Sequence, residues 1–293
     1  MTQQFPPQTS YLPAGGVLLL ACGYLGAAMV RALGGCNITA LTRGTGRHGM
    51  LTASGVRCIA CDLAGPDLAA QLTPALQGFA GSVFLLAPPS VWPAADPRPG
   101  MARLTAFLRT LQVERAVLAS STAVYGDAQG AHIDATSEVL GLDARSHRLL
   151  AIEQAWMAAG LDSYVVRLAG LYGPGRVIGR QGIARGEPVS GPADDYLNLL
   201  HIEDAARAML ATASASAPLR YAMISDGRPL LRREYYGALA QALQAPAPQF
   251  SGDGGRRAGS RRCDPTASWA ALGLLPLWSD SRTALNTVLT SGH

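Results

Sequence analysis

Three small residues, Ala21, Gly23 and Gly26, follow a short apolar run (residues 17–20, VLLL) and precede AAMVRAL, a stretch of helix formers with an apolar face. The register is G-x-G-x-x-G with alanine in the first place, and Tyr24 and Leu25 fill the gap between the two glycines. Strand, tight turn and helix in that order make an anion site. Gly23 lets backbone approach a diphosphate, Gly26 lets the helix close on the strand, and the N–H groups of the helix start hold the charge. The chemistry this serves is dinucleotide binding. At the end of the next apolar run (37–41, NITAL) stand Thr42, Arg43, Gly44 and Arg47, with no acid among them. An acid there takes ribose hydroxyls and an arginine takes a 2′-phosphate, so the pattern favours NADP, with NAD still admissible. The same arginines also suit a solvated loop.

The elements that must position these residues are legible as an alternation. Residues 56–60 (VRCIA) form a third strand ending at Asp62 and Leu63, where Asp62 either reaches an adenine edge or caps the next turn. Residues 82–87 (SVFLLA) form a fourth strand, ending at Ala87 before Pro88, Pro89 and Ser90. Residues 101–111 read as an amphipathic helix with Leu104, Phe107, Leu108 and Leu111 on one stripe, and 116–119 (AVLA) as a fifth strand. Such an order predicts an α/β fold, a Rossmann-type doubly wound parallel sheet, with ligands at the carboxyl ends of the strands. A late strand at 221–224, a helix at 232–243 and a short helix at 268–272 belong to a small mixed C-terminal region. The expected organisation is a lead-in over 1–14, a dinucleotide-binding part over 15–170 and a substrate-binding part over 171–293, interleaved with late sheet elements.

Composition narrows the partners. With 293 residues, 48% of them hydrophobic and a formal charge of +4, the chain has ample core and no basic run dense enough to mark nucleic acid as a main partner. Lysine is absent, so every one of its cationic side chains apart from histidine is an arginine. The proline-rich start carries no basic leader and the apolar run behind it is too short to span a bilayer, which predicts a cytoplasmic protein without a membrane partner. Cys22, Cys36, Cys58, Cys61 and Cys263 are odd in number, and the CIAC pair lacks a second pair or histidines to complete a metal site. They read as reduced residues in or beside buried strands, and no metal is expected.

From SSTAVYGDAQG onward the chain resembles the extended short-chain dehydrogenase/reductase family, the NAD(P)-dependent epimerase/dehydratase group acting mostly on nucleotide sugars. RLAGLYGPGR from Arg167, NLLHIEDAARAM from Asn198 and RYAMISDG agree in order, and the resemblance covers about residues 16–275. It implies that Ser121, with Thr122 beside it, polarises a substrate oxygen, and that Leu168, Ala169 and Gly170 meet the nicotinamide through their backbone. It also implies a small-molecule substrate, phosphorylated or nucleotide-linked, and dimerisation through a four-helix face. The family's tyrosine, followed four positions on by lysine, is missing: those places fall on Arg145 and Leu149, or on Ser146 and Leu150. The chain is therefore similar to the atypical branch that keeps the coenzyme fold without the pair.

Candidates for a substitute proton donor are Tyr125, Tyr172, His147 and Arg145. Each has a plainer role open to it: packing or substrate contact for the tyrosines, a surface histidine, an anion or Asp143 contact for Arg145. Arg176, Arg180 and Arg185, in the glycine- and proline-rich stretch 173–195, could grip an anionic substrate. In relatives the residue matching Asn198 faces substrate, whereas those matching His201 and Asp204 tie the segment to the next helix. The arginines at 256, 257, 261 and 262 suit a phosphate or a solvated loop.

Overall fold

The structure, a computed structural model, describes residues 15–34, 37–92, 96–141, 143–216, 218–252 and 259–290. The lead-in over 1–14, Cys36, Arg256 and Arg257 lie outside the described residues. The first half of the chain alternates β1 (Gly16–Leu20), α1 (Tyr24–Leu33), β2 (Ile38–Thr42), α2 (His48–Ala53), β3 (Arg57–Ala60), α3 (Leu68–Leu72), β4 (Ala80–Leu85), α4 (Arg98–Leu108) and β5 (Gln112–Ser121). A two-residue β6 (His132–Ile133), α5 (Ala144–Met157) and β7 (Ser163–Leu168) follow. The rest comprises β8 (Gly170–Tyr172), α6 (Arg180–Ala184), β9 (Tyr196–Leu197), β10 (Leu199–His201), α7 (Ile202–Ser214), β11 (Tyr221–Ile224), β12 (Leu230–Leu231), α8 (Arg232–Ala242), β13 (Arg262–Cys263), α9 (Thr266–Ala271) and α10 (Ser281–Thr290).

Seven strands form the main sheet in the order β11-β7-β5-β4-β1-β2-β3, every neighbouring pair parallel. The apolar run of β1 explains why it lies at the centre. Val17 and Leu19 pack into the layer that holds Met29 of α1 and Met209 of α7, while Leu18 and Leu20 pack against Leu104 and Phe107 of α4 and Trp156 of α5. A strand covered on both faces cannot alternate with polar residues, so its sequence is continuously apolar. Sequence order reverses direction between β1 and β4, which opens a crevice at their carboxyl ends, the place where such sheets take ligands. Among the described residues no helix is long and apolar enough to cross a membrane.

The expected doubly wound sheet is thus present, with boundary differences that have physical causes. The fifth strand starts at Gln112 rather than 116, because residues 112–115 (QVER), mostly polar, continue the ladder with β4 past an irregularity between Gly81 and Ser82. α4 starts at Arg98, where Pro99 occupies the first turn, and ends at Leu108. The chain does not close on α9: α10 follows it and buries Ala284, Leu285 and Val288 against Tyr235 and Leu239 of α8. Of residues 171–293, β11 joins the main sheet, and the short pairs β8–β10 and β9–β12 lie outside it.

Ala21, directly after β1, holds φ at +62°. That is left-handed backbone, where a Cβ crowds the following carbonyl and glycine is at ease. Ala21→Gly is expected to raise stability by about 0.5–1 kcal/mol, the relief of strain less the added freedom of the unfolded glycine. A melting temperature up by about 1–3 °C in calorimetry checks it.

Candidate functional site

The turn after β1 is built by close packing. A Cβ on Gly26 would stand 2.6 Å from the sulfur of Cys22 and 3.2 Å from Leu86, so only glycine lets α1 seat against the strand. A Cβ on Gly23 would meet nothing nearer than 3.8 Å; among its neighbours is Arg47 Nη1 at 3.9 Å. Gly23 is the N-cap of α1, no side chain caps it, and the first turn holds no acid. The helix therefore presents bare N–H groups and positive potential at the crevice, which is the electrostatic requirement for an anion. Leu25 is buried beneath the turn.

At the end of β2 the hydroxyl of Thr42 donates to the carbonyl of Gly44 at 2.9 Å, so its 2.7 Å contact with His48 Nε2 is a bond donated by the imidazole. Arg43 and Arg47 stay exposed beside this loop. His48 escaped the sequence reading; the signal was an imidazole one residue beyond Arg47 in RGTGRH. Asp62 accepts from the backbone N–H of Ala64 at 3.0 Å, the turn-capping alternative, while Leu63 and Ala87 are buried in the core on the α4 side.

The carboxyl end of β5 divides its hydroxyls between packing and the crevice. Ser120 donates to Glu153 of α5 at 2.5 Å, and Glu153 pairs with Arg167 of β7 at 2.8 Å. Arg167 in turn donates to the phenol oxygen of Tyr125 at 3.1 Å and lies over the rings of Tyr125 and Tyr221. Tyr125 is 2% exposed and burial holds its phenol above the ordinary range. Thr122 is equally interior, bonded to Cys263, whose thiol burial pushes up to about 11. Ser121 is half-buried; its oxygen accepts from the N–H of Ala123 at 3.2 Å, leaving its own proton to donate. Of the three, only Ser121 keeps part of its surface exposed.

The helix that carries the missing pair in relatives is otherwise employed. Ser146 and Asp143 form a reciprocal cap, with 2.7 Å from Ser146 N to Asp143 and 3.0 Å from Asp143 N to Ser146. Leu149 is buried with Val124, Tyr125 and Ile133. Arg145 and His147 are exposed. Arg148, not anticipated from the sequence, donates from its guanidinium to the carbonyls of Pro89 and Trp92 beyond β4. Leu168 and Ala169 are buried, and the N–H groups of Ala169 and Gly170 bond to the carbonyls of Ile224 and Asn198.

The NLLHIED segment proves to be a fastening. Asn198 donates to the carbonyl of Arg261 at 2.9 Å and accepts from Cys263 N at 2.8 Å, so both ends of its amide hold β13 rather than an open cleft. His201 stacks on Trp278 at 4.2 Å, and burial pushes its imidazole down to about 4, which keeps it neutral at neutral pH. Asp204, fully buried, accepts from the N–H groups of Leu277 and Trp278. Tyr172 is fully buried too, edge-on to His201. Arg176, Arg180 and Arg185 line a cavity of about 650 Å³, with Arg185 paired to Glu187 at 2.7 Å. Arg261 is buried and donates to the carbonyl of Gly126. Cys22, Cys58, Cys61 and Cys263 are free thiols, and no metal-holding group of His, Cys, Asp or Glu occurs among the described residues.

Asp226, two residues past β11, accepts from Arg228 N at 3.0 Å, has Ser281 as a further neighbour in hydrogen-bond reach, and is 4% exposed. Burial above all, with the nearby Asp280 charge adding to it, pushes its carboxyl from 3.8 up to about 7. The folded state binds this proton more tightly than the unfolded one, so stability falls as pH rises through that window and levels off above it. Asp226→Asn keeps the acceptor and removes the ionisation. Its stability difference from the parent is expected to be near zero at pH 4 and to favour the variant by on the order of 2–4 kcal/mol at pH 8, measured by urea unfolding.

Comparison with known proteins agrees with this layout. Residues 21–221 match the family described as NAD dependent epimerase/dehydratase. The chain is 33% identical over 163 residues to Protein YeeZ of Escherichia coli strain K12, a match covering 52% of this chain and 57% of that protein. It thus spans about half the length of the curated relatives it matches. MoeE5 in complex with UDP-glucose and NAD superposes with a TM-score of 0.73 at 25% identity, over 94% of this chain and 98% of that one. The DesIV double mutant (dTDP-glucose 4,6-dehydratase) from Streptomyces venezuelae, with NAD and DAU bound, superposes with a TM-score of 0.77 at 19% identity, over 93% and 95%, a likeness of fold. With the glycine turn, the parallel sheet and the matched span all in one order, the chain belongs to the NAD dependent epimerase/dehydratase family.

Proposed function

We propose that this protein binds a nicotinamide dinucleotide with preference for NADP and uses it to reduce or epimerise a small or nucleotide-linked carbonyl substrate. The observation that carries the preference is the end of β2: Arg43 and Arg47 are exposed there beside the Thr42–His48 bond, and no acid competes for ribose hydroxyls. The residues fit a coenzyme. The space at Gly23 is open, the start of α1 is uncapped, and Arg47 stands at its edge, as a diphosphate requires. MoeE5, whose solved complex holds UDP-glucose and NAD, supports both the coenzyme class and the nucleotide-linked substrate.

A bound nicotinamide would supply the hydride chemistry, which asks the protein mainly for orientation. Ser121 can donate its free proton to a carbonyl oxygen and so stabilise charge developing there. Tyr125 and Tyr172 are enclosed, which removes them from proton transfer and leaves water as the further donor. Reduction, which needs one proton delivered, suits this equipment better than epimerisation, which must take a proton and return it. A second reading, a coenzyme-binding sensor without turnover, is favoured by one observation: in either register of the absent pair one of its two places is committed, Leu149 to packing or Ser146 to capping.

Fluorescence titration is expected to show NADPH binding about tenfold to a hundredfold tighter than NADH, the range of a charge-assisted phosphate contact, and Arg43→Ala is expected to erase the difference. Equal or tighter NADH binding by the parent protein contradicts the preference. A screen of carbonyl compounds and nucleotide sugars for NADPH consumption separates the two readings. Turnover lost in Ser121→Ala supports the enzyme; no turnover, with ligand affinity unchanged in Ser121→Ala, supports the sensor.

A further inference from the structure

Residues 173–176 (GPGR) form a turn in which Gly173 N bonds to the carbonyl of Arg176 and Arg176 N to the carbonyl of Gly173, both at 2.9 Å. Proline and then glycine fill its centre, Gly175 with φ at +74°. This turn, which follows β8, is fastened to the first residue of α1. Tyr24 donates its phenol proton to the carbonyl of Pro174 at 3.1 Å, and the guanidinium of Arg176 lies 5.7 Å above the Tyr24 ring. Burial pushes the Tyr24 phenol up to about 12, so it remains a donor at any physiological pH. Gly173 has φ at +152°, and a Cβ there would stand 2.8 Å from the Tyr24 oxygen and 2.6 Å from Ile202, so the fastening admits only glycine.

Tyr24 opens the helix whose bare N–H groups face the crevice, and Arg47 approaches the same start from the β2 side at Gly23. The guanidinium of Arg176 has no carboxylate partner among the described residues and lies over the Tyr24 ring. Two guanidinium groups without a carboxylate partner among the described residues therefore stand by the start of one helix, Arg47 beside Gly23 and Arg176 over Tyr24, one from each half of the chain. We infer that Arg176 binds the diphosphate of the dinucleotide, closing on it opposite Arg47, so that the 173–176 turn is a clasp for the coenzyme rather than a grip on substrate. This rests on the coenzyme reading above and adds a residue to it from the C-terminal region. A planar fork over an aromatic ring is pre-oriented, which limits the entropy lost when it takes a phosphate.

The test uses two probes that divide the dinucleotide, with isothermal titration as readout. ADP-ribose carries the diphosphate without nicotinamide; 2′-AMP carries the 2′-phosphate without the diphosphate. In Arg176→Ala, ADP-ribose is expected to bind about tenfold to a hundredfold more weakly, with 2′-AMP changed less than about twofold. NADPH and NADH should weaken together, leaving their ratio as in the parent, in contrast to Arg43→Ala. Arg176→Gln, which keeps the stem over Tyr24, reports the same difference if the alanine variant unfolds. ADP-ribose affinity retained in both variants, or 2′-AMP lost in equal measure, overturns the clasp alone. No ADP-ribose binding by the parent protein overturns the coenzyme reading and the clasp together.

Discussion

The contact of Cys22 with Gly26 sets the geometry of this molecule. A strand buried on both faces ends in a turn whose second residue presses its sulfur against a glycine on the first turn of the next helix. Because a Cβ there would stand 2.6 Å from that sulfur and 3.2 Å from Leu86, glycine lets α1 lie close against the end of β1. The rest of that layer follows from the placement. Met29, Val30 and Leu33 meet the α7 face of Ala205, Ala208 and Met209, and α7 is held in turn by the residues that lead into it. A displaced α1 would lose apolar contacts along its length and misdirect its N-terminal potential together.

The two halves of the chain are joined by buried polar groups as well as by apolar area. Glu153 and Arg167 tie α5 to β7, and the pair is completed by Ser120 and Tyr125, so few of its bonding positions are wasted. Such a pair adds little net stability over an apolar equivalent, yet removing one partner strands the other, which makes it a device for register. Asn198 does the same for β13, since an amide that donates at one end and accepts at the other admits a single alignment of the strand. The motif that looked like a substrate contact is thereby spent on assembly.

Much of this was open to reading in the sequence. The apolar runs announced β1, β2, β4 and the middle of β5, and the glycines announced the turn, because burial on two faces and close approach leave residue types no latitude. α10 was missed because its apolar positions, Ala284, Leu285 and Val288, are few and flanked by polar residues. Arg43 and Arg47 could be singled out by type and place as exposed cations after β2, whereas the contacts of His48 and Arg148 could not. Their roles arise from contacts with Thr42 and with backbone carbonyls near Pro89, which no local pattern encodes. Packing was one of the readings open to Tyr125 and Tyr172, whereas Asn198 was legible as a motif member but not as an interior residue, since a motif fixes chemistry and only the packed neighbours fix exposure.

The reciprocal cap between Asp143 and Ser146, with Leu149 packed behind it, limits which side chains α5 can carry. In one register a tyrosine at 146 would remove the Ser146 half of the cap, at about 1 kcal/mol, and in the other a lysine at 149 would bring an ammonium group among Val124, Tyr125 and Ile133 at a higher cost still. In either register, then, placing such a pair on α5 needs a further change beside its own two substitutions, to replace the lost cap contact or to open the packed layer behind the helix.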